Sequence, residues 1–246
     1  MDMNSPMGKK VLALVRGADY AHAGEAEAVD TVFRDVPKDP ARTLVDVGCG
    51  RGGTAQYVQL GGWGRVLGVD IDSESIEYAK RTYPDVEFMA SDAMDLARRL
   101  SRRFDIIYLF NAFYAIPDHR RALEQFHAIG SGSGRLIVFD YSVGQRGRRR
   151  FPFAEWNPLD LALAGKLFRE AGWRVVRTDD LSAEYARWYR ELNARIESAS
   201  GAITDAAGGA WLDFVRSFYG RISAAIADGL LGGAAVYAER DQGAHP

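Results

Sequence analysis

Cysteine is nearly absent from this chain of 246 residues: Cys49 stands alone. A single thiol excludes an intramolecular disulfide and makes a reducing compartment the default. It also excludes a cysteine-based zinc site, which needs several thiolates. No His, Cys, Asp and Glu spacing suggests any other metal, and no Ser-His-Asp pattern is present. Excess charge is missing as well, with 31 Lys plus Arg against 33 Asp plus Glu and a formal net charge of -2. That balance argues against bulk affinity for nucleic acid or an acidic membrane. No stretch approaches the roughly 18 uncharged apolar residues of a membrane helix. Val11–Val15 is too short for a secretory core and is followed by Arg16 and Asp19. The expectation is a cytoplasmic protein with no nucleic-acid or membrane partner, and the sequence leaves its oligomeric state open.

Apolar residues make up 47% and charged residues 26% of the chain, which suits a folded core and excludes a disordered chain. Seven short runs read as strands: 43–47, 65–70, 86–90, 104–110, 134–140, 173–178 and 234–239. Several are apolar nearly throughout, such as Asp105-Ile-Ile-Tyr-Leu-Phe110, as expected for a sheet covered on both faces. Helical patterns alternate with them. Val29, Val32, Phe33 and Val36 share one face. Residues 73–81 follow a capping Asp72 or Ser73 and stop before Pro84, and residues 118–129 start on Asp118. Asn157-Pro158 reads as a helix start, with the helix running to Gly172. Alternating strands and helices imply an α/β fold of right-handed βαβ units. Residues 181–229 hold two aromatic amphipathic patterns. One is Tyr185, Trp188, Tyr189, Leu192 and Ile196; the other is Trp211, Phe214, Val215, Phe218, Ile222 and Ala225 or Ile226. Stripes so apolar need a surface to cover.

The sharpest local signal is Leu44-Val-Asp-Val-Gly-Cys-Gly-Arg-Gly-Gly53. A buried strand ends in a glycine turn that opens a helix, where φ > 0 is allowed and a ligand can approach the backbone. Gly48, Gly50 and Gly53 satisfy G-x-G-x-x-G, a weak pattern that by itself suggests a dinucleotide. Asp70, at the end of the second strand, is placed for a ribose-binding carboxylate. A ribose-bearing cofactor at the first strand's carboxyl end follows, without its identity. Asp46, two residues before the first glycine, would repel a pyrophosphate but suits an ammonium group. Asp92 follows the third strand, where it could accept from an exocyclic amine. The fourth strand ends in Phe110-Asn-Ala-Phe-Tyr114, where a reacting group would meet the cofactor.

Together these residues resemble the class I S-adenosylmethionine-dependent methyltransferases, from about residue 43 to 179 and over the last strand. Asp46-x-Gly48-x-Gly50-x-Gly52 matches the family's first motif, Asp70 its ribose acid and Asp92 its adenine-proximal acid. The resemblance implies a Rossmann-like, doubly wound seven-stranded sheet in order 3-2-1-4-5-7-6, with strand 7 antiparallel. It implies S-adenosyl-L-methionine as cofactor and S-adenosyl-L-homocysteine as product. Gly48 and Asn111 would offer backbone groups to the methionine ammonium, and Ile71 and Ala93 would flank the adenine. Asp46 would act on the methionyl end, and Cys49 belongs to the cofactor turn with no nucleophilic role. The chain then divides as one domain. Residues 1–40 form a helical cap, 41–180 the core, 181–229 a helical lid inserted between strands 6 and 7, and 230–240 the last strand. Arg51-Gly-Gly-Thr54, the segment 141–157 and Tyr185-x-x-Trp188-Tyr189-Arg190 look like small-molecule methyltransferases. Sarcosine/dimethylglycine, quinone-precursor and cyclopropane-fatty-acid-type enzymes share this layout.

Methyl transfer from a sulfonium is an in-line displacement that needs alignment and exclusion of water, and a base only where the nucleophile carries a proton. Candidates lie in Asp19-Tyr-Ala-His-Ala-Gly-Glu25: His22 as base or substrate ligand, Tyr20 near the sulfonium. The alternative is that His22 merely begins a helix. His119 is expected to be exposed at a helix start, and His127 and His245 carry no role. Tyr114, Tyr141, Trp156, Tyr185 and Trp188 are candidate substrate-pocket residues, for an apolar acceptor or a cationic one held by cation–π contact. Plain packing of lid on sheet is the alternative. Gln145-Arg-Gly-Arg-Arg-Arg150 is the only basic cluster, either an anion site or a solvated loop. The leading function is methyl transfer to a small-molecule amine, hydroxyl, thiol or carbon. Alternatives are a macromolecule-directed methyltransferase, a non-catalytic cofactor-binding protein, or a nicotinamide oxidoreductase. The last lacks Tyr-x-x-x-Lys, since Lys occurs only at 9, 10, 38, 80 and 166.

Overall fold

The computed structural model describes residues 1–146 and 153–241. Its centre is β1 (Thr43–Val47), whose last four residues are buried on both faces. It pairs in parallel with β2 (Arg65–Asp70) and β4 (Phe104–Phe110). Parallel pairing continues outward to β3 (Glu87–Ala90) and β5 (Gly130–Val143). β7 (Leu231–Arg240) runs antiparallel between β5 and β6 (Trp173–Asp180). The order is β3-β2-β1-β4-β5-β7-β6, as the resemblance implied.

The pleat sorts neighbouring apolar residues into two cores. Leu44, Ile106, Tyr108, Ile137 and Phe139 face one cluster, and Val45, Ile107, Leu109, Leu136 and Val138 face the other. On the first face lie α1 (Pro6–Arg16), α2 (Glu25–Phe33), α3 (Gly53–Leu60) and α4 (Ser73–Thr82). The same face carries α8 (Ser182–Ser198), α9 (Ser200–Ala207) and α10 (Gly209–Ala227). The short α5 (Leu96–Arg99), α6 (His119–Ile129) and α7 (Leu161–Glu170) cover the second face. Asp72 and Asp118 cap α4 and α6 by accepting the backbone N–H of Glu74 and Arg121, as their positions predict.

Three readings need correction. The helix assigned to Asn157-Pro158 starts at Leu161, capped by Asp160 through the Ala162 N–H, and ends at Glu170. Residues 157–159 stay extended because the sheet edge claims them: Asn157 donates to the Tyr114 carbonyl, and Leu159 exchanges bonds with Tyr141 and Val143. The 181–229 region holds three helices rather than two. The small-residue stretch Ser200–Ala207 forms α9, and the buried face of α10 is Leu212, Val215, Tyr219, Ile222 and Ile226. Trp211, Phe214 and Phe218 are therefore half-buried beside that face. His119 is buried rather than exposed, stacking on Phe113 at 3.8 Å and bonding the Phe113 carbonyl at 2.8 Å.

Candidate functional site

The glycine turn between β1 and α3 has three left-handed residues, Gly48, Gly50 and Gly52, at φ of +80°, +53° and +90°. A Cβ on Gly48 would lie 2.3 Å from that of Ala112, and one on Gly52 would lie 2.7 Å from the Phe88 ring. Only glycine fits both the backbone and the space. Gly48 and Cys49 donate to the Val69 carbonyl, tying the turn to β2. Cys49 is buried there, and burial pushes its thiol well above its ordinary range.

Asp46 enters this turn from below with 1% exposure, and its Oδ2 is buried without a hydrogen-bond partner. Burial, then the neighbouring Asp70, push its carboxyl well above the usual range. The buried Tyr108 hydroxyl is the donor the chain sets beside Asp46, and no cation of the chain pairs with it among the described residues. A buried carboxyl oxygen left without a partner is costly, so the position suits a ligand cation.

Asp70 ends β2. One oxygen accepts the Gly50 N–H at 2.7 Å and the other accepts the Asp72 N–H at 2.9 Å. Lys9, from α1, sits 3.6 Å from Asp70 and 2.9 Å from Asp72. Next to Asp70, Ile71 is 74% exposed, an apolar side chain held in the open at the sheet's carboxyl edge. Asp92 and Ala93 are half-buried after β3, where Asp92 accepts the Met94 N–H at 2.8 Å.

After β4 the chain turns sharply at Asn111, a non-glycine residue at φ +47°. Its N–H donates to the Phe139 carbonyl, and its side-chain oxygen accepts the Ala23 N–H at 3.2 Å and the Tyr185 hydroxyl at 3.3 Å. Its Nδ2 is buried without a partner. The fully buried Asp140, within the last part of β5, fixes the same turn. Its oxygens accept the N–H groups of Phe113 at 2.6 Å, Tyr114 at 3.2 Å and Tyr141 at 2.7 Å. Burial pushes its carboxyl up to about 7 against the pull of those three bonds.

Residues 17–24 lie across the glycine turn. Asp19 pairs with Arg51 at 2.6 Å and accepts the hydroxyls of Tyr78 and Tyr83. His22 is 1% exposed, packed 4.7 Å from the Phe110 ring. Its Nδ1 lies 3.0 Å from the Ala23 carbonyl, which can only accept, so Nδ1 carries the proton. Nε2 then accepts the Thr54 hydroxyl at 2.9 Å. Burial pulls the ring down to about 3. Both nitrogens are committed, and a ring this weakly basic takes up no proton near neutrality. Tyr20 is half-buried, 5.5 Å from His22 and 6.3 Å from Tyr57, and burial raises its hydroxyl to about 12.

Four of the five aromatic candidates come together. Tyr114 lies 5.0 Å from Tyr141 and 4.5 Å from Trp156; Trp156 lies 4.6 Å and Tyr185 5.7 Å from Tyr141. The fifth, Trp188, joins them through Tyr185 at 5.8 Å and lies against Gly24, donating to Glu27 at 3.1 Å. Of the basic run, residues 147–150 lie outside the described residues, as do Phe151 and His245. Among the described residues no group of three His, Cys, Asp or Glu could hold a metal.

Sequence reasoning missed Asp140, Lys9, Tyr219 and Arg16 as residues of this region. Asp140, the acid that closes the fifth apolar run, was the one legible signal among them.

A methyltransferase-domain family matches residues 44–134. Trans-aconitate 2-methyltransferase of Azoarcus sp. is 36% identical over 91 residues, covering 37% of this chain and 35% of that protein. The chain spans about a third of the length of such relatives. Among solved structures, Haemonchus contortus phosphoethanolamine N-methyltransferase 2, in complex with S-adenosyl-L-methionine, superposes with a TM-score of 0.85. Identity is 17%, over 97% of this chain and 58% of that one. The cyclopropane synthase MmaA2 of Mycobacterium tuberculosis gives 0.82 at 13% identity, over 96% and 94% of the two chains. Likeness at such identities is likeness of fold. Residues 44–134 thus match a methyltransferase domain, and the strand order is the one that the resemblance to class I S-adenosylmethionine-dependent methyltransferases implied.

Proposed function

We propose that the protein transfers a methyl group from S-adenosyl-L-methionine to a small-molecule acceptor in an aromatic pocket under a helical lid. The observation that carries this is Asp46, a buried carboxylate with an unpartnered oxygen at the glycine turn. The chain offers it no cation, and the methionine ammonium is the cation the cofactor brings. A nicotinamide dinucleotide would instead press a pyrophosphate on that charge.

The remaining cofactor residues follow from what each has left to give. The N–H groups of Gly48 and Asn111 are spent on Val69 and Phe139, so their carbonyls are the acceptors for the ammonium. Asp70 takes the ribose hydroxyls, exchanging the Lys9 contact for them. Exposed Ile71 covers one face of the adenine, Ala93 flanks the other, and Asp92 accepts from its amine. The cofactor supplies an already activated methyl group. The protein's part is alignment and exclusion of water, worth roughly 7–11 kcal/mol where geometry is good. Asn111 and Asp140 hold the turn after β4 rigid, and Tyr114, Tyr141, Trp156 and Tyr185 wall the acceptor side. His22 holds the 19–24 segment on α3 through Thr54 and is a positioning residue rather than a base. In this reading residues 1–246 form one methyltransferase domain, with 1–40 as cap and 181–229 as lid.

Calorimetric titration with S-adenosylhomocysteine, followed by a labelled-methyl screen over amines, phenols and acids, tests the proposal. Binding lost in Asp46→Ala and label in a small product are expected. No binding at about 1 mM ligand, weaker than about 4 kcal/mol, overturns it. So does label that enters only RNA, DNA or protein.

A further inference from the structure

Under α10 the aromatic wall ends in a knot of phenol hydroxyls. Those of Tyr141 and Tyr189 are hydrogen-bonded to each other, so one donates and the other still has a proton to give. Tyr219 stacks on Tyr189 with ring centres 6.1 Å apart, and Tyr114 meets Tyr141 edge-on at 5.0 Å. All but half-buried Tyr114 are at most 5% exposed.

One cation completes the knot. Arg16, in the last turn of α1, has a side chain only 1% exposed. One end of its guanidinium pairs with Glu25, while its Nε is buried with no partner. Its charge favours the ionised forms of the Tyr189 and Tyr219 hydroxyls, which burial otherwise disfavours. Glu25 is shared with Arg195 at 2.8 Å, so two guanidiniums face one carboxylate. The nearest other buried carboxylate, Asp140, has its oxygens turned to three backbone N–H groups, and Asp2 reaches only the Tyr114 side.

A buried guanidinium with an unpartnered Nε, beside the Tyr189 and Tyr219 hydroxyls, repels a cation and matches an oxyanion in charge and hydrogen bonding. Resting on the methyltransferase reading above, we infer that the acceptor carries an oxyanion, a carboxylate or a phosphate monoester. Arg16 and the hydroxyls of Tyr141, Tyr189 and Tyr219 bind it, and Arg16 is the residue that sets this specificity. The methylated atom lies at the opposite end of the acceptor, toward Tyr114 and Asn111 at the tip of β4.

The test uses the full chain and matched probes. S-adenosylhomocysteine is titrated first; no binding refutes the methyltransferase reading and this inference with it. The loaded protein is then titrated with phosphoethanolamine against ethanolamine, and with glycine against glycinamide. At least one member that carries the oxyanion is expected to bind tenfold or more tighter than its twin that lacks it, and which pair responds assigns phosphate or carboxylate. Arg16→Met should bring that ratio to within twofold without changing S-adenosylhomocysteine affinity, and Arg16→Lys should keep part of it. Should Arg16→Met not fold, Tyr219→Phe should lower the ratio severalfold. With the cofactor product bound, three results overturn the inference. These are equal or better binding of the twins that lack the oxyanion, a ratio that survives Arg16→Met or Tyr219→Phe, and no binding of either oxyanion-bearing probe at about 10 mM.

Discussion

His22 gives a prediction whose sign and size both follow from its surroundings. The ring is fully buried, donates from Nδ1 to Ala23 and accepts Thr54 at Nε2, and burial holds it down at about 3 against an ordinary 6.5. Below pH 6.5 the unfolded chain binds a proton at this position and the folded chain does not. Folded stability attributable to His22 is therefore complete above about 6.5 and falls as pH drops toward 3. The slope approaches 1.36 kcal/mol per pH unit, so the loss between pH 7.5 and 5 is about 2 kcal/mol. Buried Asp46 and Asp140, both raised, push the other way, since their folded forms hold protons that the unfolded chain releases. A comparison with His22→Gln cancels their contributions. Urea unfolding of both proteins across pH 7.5 to 5 should show the wild type more stable at the top, by about 2 kcal/mol for the lost ring packing and Thr54 bond. That lead should shrink by a similar amount at the bottom. A lead independent of pH would mean that the ring titrates as in the unfolded chain. A lead that grows in acid would mean that the charged ring is paired. Either result refutes the buried, neutral imidazole and restores His22 as a candidate base.

Gly48→Ala would place its Cβ 2.3 Å from Ala112 at a φ of +80° and should cost tenfold or more in S-adenosylhomocysteine affinity by calorimetry. Gly62→Ala, at φ +81° with open space around it, is the control: it should cost only about 1 kcal/mol of stability and leave that affinity alone. Asp70→Asn leaves one acceptor oxygen for the two N–H groups of Gly50 and Asp72. It should weaken S-adenosylhomocysteine by about tenfold, or about 1.4 kcal/mol; unchanged affinity would remove Asp70 from the ribose site. Gly233→Ala would put a Cβ 2.0 Å from the Tyr185 ring and should destabilise by about 1–3 kcal/mol in thermal melts. A variant that melts with the wild type would show that Tyr185 is not held where the structure has it.

What could be read in advance divides along the range of the forces involved. β1, β2 and β4 were legible to the residue, because strands buried on both faces declare themselves by apolar runs that need no partner to interpret. The glycine turn and the caps at Asp72 and Asp118 were legible because backbone chemistry of that kind is local. Asn157-Pro158 misled for the converse reason: a sound local start signal was overruled by bonds to Tyr114 and Tyr141, which only the folded sheet supplies. The face of α10 shifted because Trp211, Phe214 and Phe218 carry the same apolar signal as Leu212 and Tyr219, and tertiary contacts choose between them. Arg16 was invisible for a deeper reason. At the end of an amphipathic helix an arginine reads as a dipole-favoured surface residue. Only the arrival of α8 and α10, some 170 to 200 positions later, buries it beside Tyr189 and Tyr219.

The same long-range logic bears on how the two halves of the site communicate. The stretch from Arg16 to Glu27 touches the cofactor turn through Asp19–Arg51 and His22–Thr54, and the β4 turn through Ala23–Asn111. It touches the helices above through Gly24–Trp188, Glu25–Arg195 and Glu27–Trp188. Asn111 accepts from Ala23 and from Tyr185 of α8 on the same side-chain oxygen. A ligand that moves Asn111 therefore loosens both contacts together, and one that seats Asn111 tightens both. Each hydrogen bond contributes only about 0.5–1.5 kcal/mol net. Three hydrogen bonds, two ion pairs and the packing of Gly24 on Trp188 together hold the segment on both sides. The dozen residues from Arg16 to Glu27 thus bridge the glycine turn and α8 by their own contacts, across more than 150 positions of sequence.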